Sequence, residues 1–176
     1  MDATTARRFF QEYVTTIYEK GRVEELGRFY TRDVVPHPDI PGMEPGLNGM
    51  KVVIRSWLDA FSSMRYTTDS FVFQRDIIAP RISVNAVHTG DFMGIPATGR
   101  KVTVVSHPHY RLEHGKIAEF WDMPDMLSLL QQLGVFSAPS LAAWYPTSRL
   151  GITKNKPELV APMVAGIGLV REYERV

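Results

Sequence analysis

The sequence predicts an α+β domain, with helices covering one face of a curled antiparallel sheet. Two observations predict it. Apolar residues recur at helical spacing from Phe9 to Phe61, then alternate at a period of two from Tyr66 onward. The links Ala79-Pro80 and His114-Gly115 are short, which suits antiparallel hairpins rather than crossover connections.

Residues 3–20 form the first predicted helix. Phe9, Phe10, Tyr13, Val14, Ile17 and Tyr18 share its spacing, and Gly21 suits its stop. Residues 22–30 read as a second, shorter helix, with Val23, Leu26, Phe29 and Tyr30 to one side. Residues 31–47 hold Pro36, Pro38, Pro41, Gly42, Pro45 and Gly46, which predict an irregular loop containing His37. A third helix is expected over 48–63, with Met50, Val53, Ile54, Trp57, Leu58 and Phe61 as its apolar stripe. Four strands follow, at 66–78, 81–93, 100–112 and 116–123, with 94–99 a longer turn. Residues 126–133 predict a helix capped by Asp125 and stopped by Gly134. Residues 137–156 read as irregular. Residues 157–176 suit a last helix interrupted by Pro162 and two glycines. One domain is thus expected over 1–136. Residues 137–176 are expected to be an extension that covers the mouth of a pocket or meets a neighbouring subunit.

A chain of 176 residues buries roughly 70% of its extended surface on folding, enough for a core and an internal pocket. The net charge of +1 gives no electrostatic footprint for nucleic acid. The absence of cysteine excludes disulfides, thiolate metal sites and thiol catalysis, and suits a cytoplasmic protein. Nothing at Met1-Asp2-Ala3-Thr4-Thr5 reads as a signal peptide. The run Leu159–Val170 is too short to span a membrane.

The candidate site comes from strand register. If His114-Gly115 is a two-residue loop, Glu113 faces Lys116, Arg111 faces Ala118, His109 faces Phe120 and His107 faces Asp122. Opposed residues hold their Cβ atoms roughly 5 Å apart, so His107 and Asp122 could share a hydrogen bond. Extended outward, one face reads Phe71, Phe73, Val84, Ala86, His88, Val105, His107, His109, Phe120 and Asp122. An apolar wall with a few ionisable groups is the composition of a small-molecule site. The other face carries Ser83, Asn85, Ser106 and Glu119 with Val104, Tyr110, Ile117 and Trp121; its aromatics predict a second subunit there. A slip of one residue exchanges the two faces.

The run from His88 to Arg100 resembles the central motif of the SnoaL-like polyketide cyclases, in the nuclear transport factor 2-like superfamily. So does Tyr110-Arg111, followed by Gly115 to Asp122, Asp125, Leu129 and Gln132-Leu133-Gly134. The resemblance covers about residues 5–136 and implies a cone of curved antiparallel sheet with the N-terminal helices on its concave face, often assembled through the sheet. It implies that an Asp in the pocket does acid–base work in an intramolecular aldol closure, without metal or organic cofactor. Asp122 matches that position.

The expected function is therefore cofactor-independent cyclisation of a bulky apolar biosynthetic intermediate, as in polyketide metabolism. Asp122, His107 and His88 are the catalytic candidates. His109, Phe71, Phe73, Phe120, Trp57 and Tyr18 are candidates for binding substrate. Three histidines and an Asp also raise a metal site, but no helical His pair or Cys partner accompanies them, and no metal is expected. Arg111-x-Glu113 lies at the hairpin end, away from Asp122, which disfavours a water-holding Asp–Arg–Asp set. Two alternatives stay open: an isomerase, dehydratase or ring-opening enzyme using histidines in the same pocket, and a ligand-binding module without chemistry. The expected partners are a small molecule and a second copy of the chain, with no nucleic acid and no membrane.

Overall fold

The computed structural model describes residues 1–37 and 42–135. The extension expected over 137–176, with its last helix, lies outside them. The six-stranded sheet falls within the unit Met1–Gln132.

Helix α1 (Ala3–Val14) begins at Asp2, whose carboxylate accepts the Thr5 N–H at 2.7 Å. The predicted first helix does not continue as α-helix to residue 20. Thr15–Glu19 form a π-helical turn instead, ended by Gly21 at φ +67. Such a turn inserts an extra residue and re-aims the side chains that follow. A 3-10 helix, Val23–Arg28, comes next.

The loop expected over 31–47 contains a strand, β1 (Tyr30–His37). Its prolines suggested irregular chain, but β1 lies at the edge of the sheet, where a proline that donates no ladder bond is tolerated. Helix α2 (Gly46–Ala60) runs directly into β2 (Phe61–Gln74). The β2–β3 turn sits at Arg75-Asp76, with Arg75 at φ +59, and not at Ala79-Pro80. Pro80 is instead buried inside β3 (Ile77–His88). On one side of β3 the partner changes from β5, paired at Ile77 and Ile78, to β4, paired from Ile82. Pro80 falls in that gap, where no ladder needs its missing N–H.

The strand predicted over 100–112 is two, β4 (Lys101–Ser106) and β5 (His109–Glu113), broken at His107-Pro108. The turn to β6 (Lys116–Trp121) is His114-Gly115 as expected, with φ of +50 and +76. Paired positive φ values are those of the tight hairpin turn that matches strand twist. In α3 (Met126–Leu133) Asp125 caps as expected, accepting the Ser128 N–H at 2.9 Å.

The sheet runs β1-β6-β5-β3-β2, with β4 also on β3. All pairs are antiparallel except β1 with β6. The sheet is curved and open, with the helices on its concave face. Phe10, Tyr13, Ile17, Leu26, Ile54, Ile78 and Ile117 form the core between them.

Candidate active site

The geometry of the site comes from one bulge. Pairing in the β5–β6 hairpin begins as predicted, Glu113 with Lys116 and Leu112 with Ile117. The register then shifts, and Arg111 pairs with Glu119, leaving Ala118 as the extra residue. A bulge of one residue reverses which side chains share a face. Tyr110 therefore opposes Phe120 on the inside, their rings stacked at 6.2 Å, and His109 opposes Trp121 on the outside. In β4 the inward residues are Val102, Val104 and Ser106, which oppose Ala86, Val84 and Ile82.

The predicted His107–Asp122 pair is thus not made. His107 and His109 are exposed on the convex side, and neither reaches the cavity. Ser106, expected outside, takes the place of His107, and its hydroxyl donates to Asp122 Oδ1. Val104, Tyr110 and Ile117, also expected outside, are buried within.

Asp122 follows β6 at the wall of a cavity of about 230 Å³. The remaining wall is mostly apolar: Trp57, Phe61, Met64, Ile82, Val84, Ala86, Val102, Val104 and Pro124, with Tyr18, Tyr66 and Ser106 supplying hydroxyls. Burial pushes the Asp122 carboxyl above its ordinary value, against the opposing pull of the Ser106 hydroxyl and the Met123 N–H. The arrangement is an acid–base group with raised proton affinity facing an apolar ligand space.

Two of the six expected substrate contacts, Trp57 and Tyr18, line this cavity. Phe71 packs on Phe10 at 6.0 Å, and Phe73 and Phe120 also lie against the core instead of the cavity wall. His88 does share the inner face but sits behind Phe61, ring centroids 5.2 Å apart, and is fully buried. Its Nδ1 lies 3.2 Å from the Thr98 N–H and 3.0 Å from the Thr98 hydroxyl, and its Nε2 has no partner among the described residues.

His37 is also outside. Its ring stacks on Trp121 at 4.7 Å and its Nε2 lies 3.3 Å from Glu119, which accepts bonds of 3.0 and 2.7 Å from Arg111. Arg111 holds the Glu119 carboxyl below its usual range. Among the described residues no three His, Asp or Glu side chains gather as a metal would need.

Tyrosines are the feature that periodicity missed. The Tyr13 and Tyr30 hydroxyls are 2.7 Å apart, and that of Tyr18 is 3.3 Å from Tyr13. Tyr66 packs on Tyr18 at 5.1 Å. Tyr18, Phe61 and Met64 also border a second, more open cavity of about 430 Å³, lined by Glu19, Lys20, Arg55, Asp59 and Ser63. In a sequence, aromatics at helical spacing read as core or as pocket lining, as Tyr18 does, and only the fold shows the chain of hydroxyls behind it.

The model of the SnoaL-like polyketide cyclases matches residues 5–133. The aklanonic acid methyl ester cyclase DauD of Streptomyces sp. (strain C5) is 26% identical over 133 residues, which cover 73% of this chain and 81% of that cyclase. TsrD of Streptomyces laurentii superimposes with a TM-score of 0.71 at 27% identity, covering 77% of this chain and 99% of TsrD. IdmH of Streptomyces antibioticus does so with a TM-score of 0.59 at 28% identity, covering 69% and 93%. The open curved sheet, the helices on its concave face and the matched span agree: the chain belongs to the SnoaL-like polyketide cyclase family, a family of enzymes.

Proposed function

We propose that the chain closes a ring in a bulky, mostly apolar polyketide intermediate by an intramolecular aldol reaction, with Asp122 as base and then acid and no cofactor. The observation that carries this reading is the Asp122 carboxyl on an otherwise apolar cavity wall, hydrogen-bonded by Ser106 and raised in proton affinity by burial. As carboxylate, Asp122 takes a proton from the carbon beside a carbonyl, leaving an enolate. The enolate carbon bonds to a second carbonyl carbon of the same molecule. The alkoxide so formed recovers the proton from Asp122. No atom is lost, and the enzyme ends as it began. Aklanonic acid methyl ester, named for the relative DauD, is the test substrate. Asp122→Asn keeps shape but removes the base, and is expected to lower kcat by roughly 10²–10⁴-fold with the fold intact by circular dichroism. Turnover at the parental rate in that variant would mean another base, and binding without turnover in the parent would mean a binding module.

The second reading, a histidine-driven isomerase or dehydratase, rests on His88 alone, through its unpartnered Nε2. His88→Gln separates the two. It should change the rate by less than Asp122→Asn if the cyclase reading holds, and by more if the histidine does the chemistry.

A homodimer through the convex face and a cytoplasmic setting belong to the same proposal. The first is supported by Trp121 and Val35, 39% and 43% exposed there. The second is supported by the cysteine-free composition, with no helix among the described residues long and apolar enough to cross a membrane.

A further inference from the structure

We infer that Tyr13 and Tyr30 are positioning residues which make Tyr18 a dedicated hydrogen-bond donor into the cavity, to the oxygen that becomes the enolate. This rests on the cyclase reading for the identity of that oxygen, but not for the direction of the hydrogen bonds.

The number of protons sets that direction. Three phenol hydroxyls form a chain of two bonds, Tyr30 to Tyr13 at 2.7 Å and Tyr13 to Tyr18 at 3.3 Å. Three protons serve two bonds, so one is left over. Tyr30 and Tyr13 are both buried, and the Tyr30 hydroxyl has no other partner among the described residues. If Tyr13 donated to Tyr30, the Tyr30 proton would be stranded in the core, and a buried donor without an acceptor costs more than a paired one gains. Tyr30 therefore donates to Tyr13. Tyr13, having accepted, donates to Tyr18. The Tyr18 proton is the one left over, and Tyr18 is the member of the chain that lines the cavity.

Each bond in such a chain polarises the next, which strengthens the last donor. Burial raises all three phenols, Tyr18 to about 12 and Tyr13 and Tyr30 well above their ordinary value. The bond with Tyr13 acts in the opposite sense on both Tyr18 and Tyr30, so the direction of the chain rests on burial and the proton count. A phenol that stays protonated throughout can hold a developing oxyanion without giving up its proton, while Asp122 across the cavity handles the carbon-bound proton.

The π-helical turn is what brings this about. It carries Tyr18 and Glu19 out of α-helical phase, and the Glu19 carboxylate accepts the Tyr66 N–H at 3.0 Å, just past the β2 irregularity between Ser62 and Arg65. The turn and β2 are thereby held together with Tyr18 and Tyr66 side by side on the wall.

The test uses the whole chain and an acceptor-only probe, 1-tetralone, with tetralin as its hydrocarbon control. The native protein should bind the ketone about three- to ten-fold more tightly than the hydrocarbon. The infrared carbonyl band of bound ketone should be lowered. Tyr18→Phe should return the band to its unbonded position. Tyr30→Phe, and Tyr13→Phe which cuts the chain at its middle, should return it partway. Tyr18→Phe combined with Tyr30→Phe should look like Tyr18→Phe alone, because Tyr30 acts only through Tyr18. In a Tyr66→Phe background the Tyr30→Phe effect should persist. A band that is the same in native protein and Tyr18→Phe, for want of binding or of bonding, overturns the inference. So does a Tyr30→Phe effect that survives without Tyr18. A native protein that shows the lowered band yet leaves aklanonic acid methyl ester unchanged supports the donor and counts against the cyclase reading.

Discussion

Asp122 is held in a form the fold disfavours. Burial raises its proton affinity in the native state, so the folded chain binds that proton more tightly than the unfolded one. The stability contributed by this group is greatest below the ordinary Asp value and falls as pH climbs through the raised one. Asp122→Asn should therefore melt at a higher temperature than the parent at neutral pH, with the gain shrinking as pH is lowered toward 4, as calorimetry across that range would read. The same shift places the acidic limb of the kcat/KM profile above the usual carboxylate range. Ser106→Ala removes a hydrogen bond that favours the anion and should move that limb further up in pH. The inward position of Asp122 was legible because it shares parity with Phe120 and follows a strand. That of Ser106 was not. A serine and a histidine at neighbouring strand positions carry no mark of which one turns inward.

At the scale of elements, alternation marked the strand region after β1 but not the phase of its strands. Ala118 is an ordinary strand residue, so its bulge leaves no compositional trace, yet it moved His109 outward and Tyr110 inward. His114-Gly115 was legible because both residues tolerate positive φ, which few pairs do. Pro36 and Pro80 misled for one reason. A proline breaks a strand only where its N–H is wanted, and that depends on neighbours the sequence does not name. The join between α2 and the end of β3 was equally hidden. Thr89 and Gly90 both donate backbone N–H groups to the Ala60 carbonyl, at 2.9 and 3.0 Å. A Cβ on Gly90 would lie 2.1 Å from the Asp59 carbonyl oxygen, backbone that cannot rotate away. Gly90→Ala should cost about 1–3 kcal/mol, seen as a lower denaturant midpoint at unchanged slope.

Across the whole molecule, the convex side of the sheet carries Val35, His37, His109, Glu119 and Trp121, an apolar and charged patch around β1, β6 and β5. Trp121→Glu should convert the proposed dimer to a monomer in sedimentation while leaving turnover within about three-fold, since Trp121 lies on the opposite side of the sheet from the cavity. A mass that stays dimeric in that variant, or is already monomeric in the parent, removes this surface from consideration.

The parallel pairing of β1 with β6 has a consequence for synthesis on the ribosome. His37 meets Glu119 across 82 positions of chain, and β1 has no other strand beside it among the described residues. The amino-terminal quarter therefore leaves the exit tunnel with Tyr30 and Val34 lacking their neighbour until nearly the whole matched span has been translated. A transcript truncated before codon 116 should yield nascent protein that is readily cleaved by protease and captured by chaperones, since its first strand has nothing to dock against.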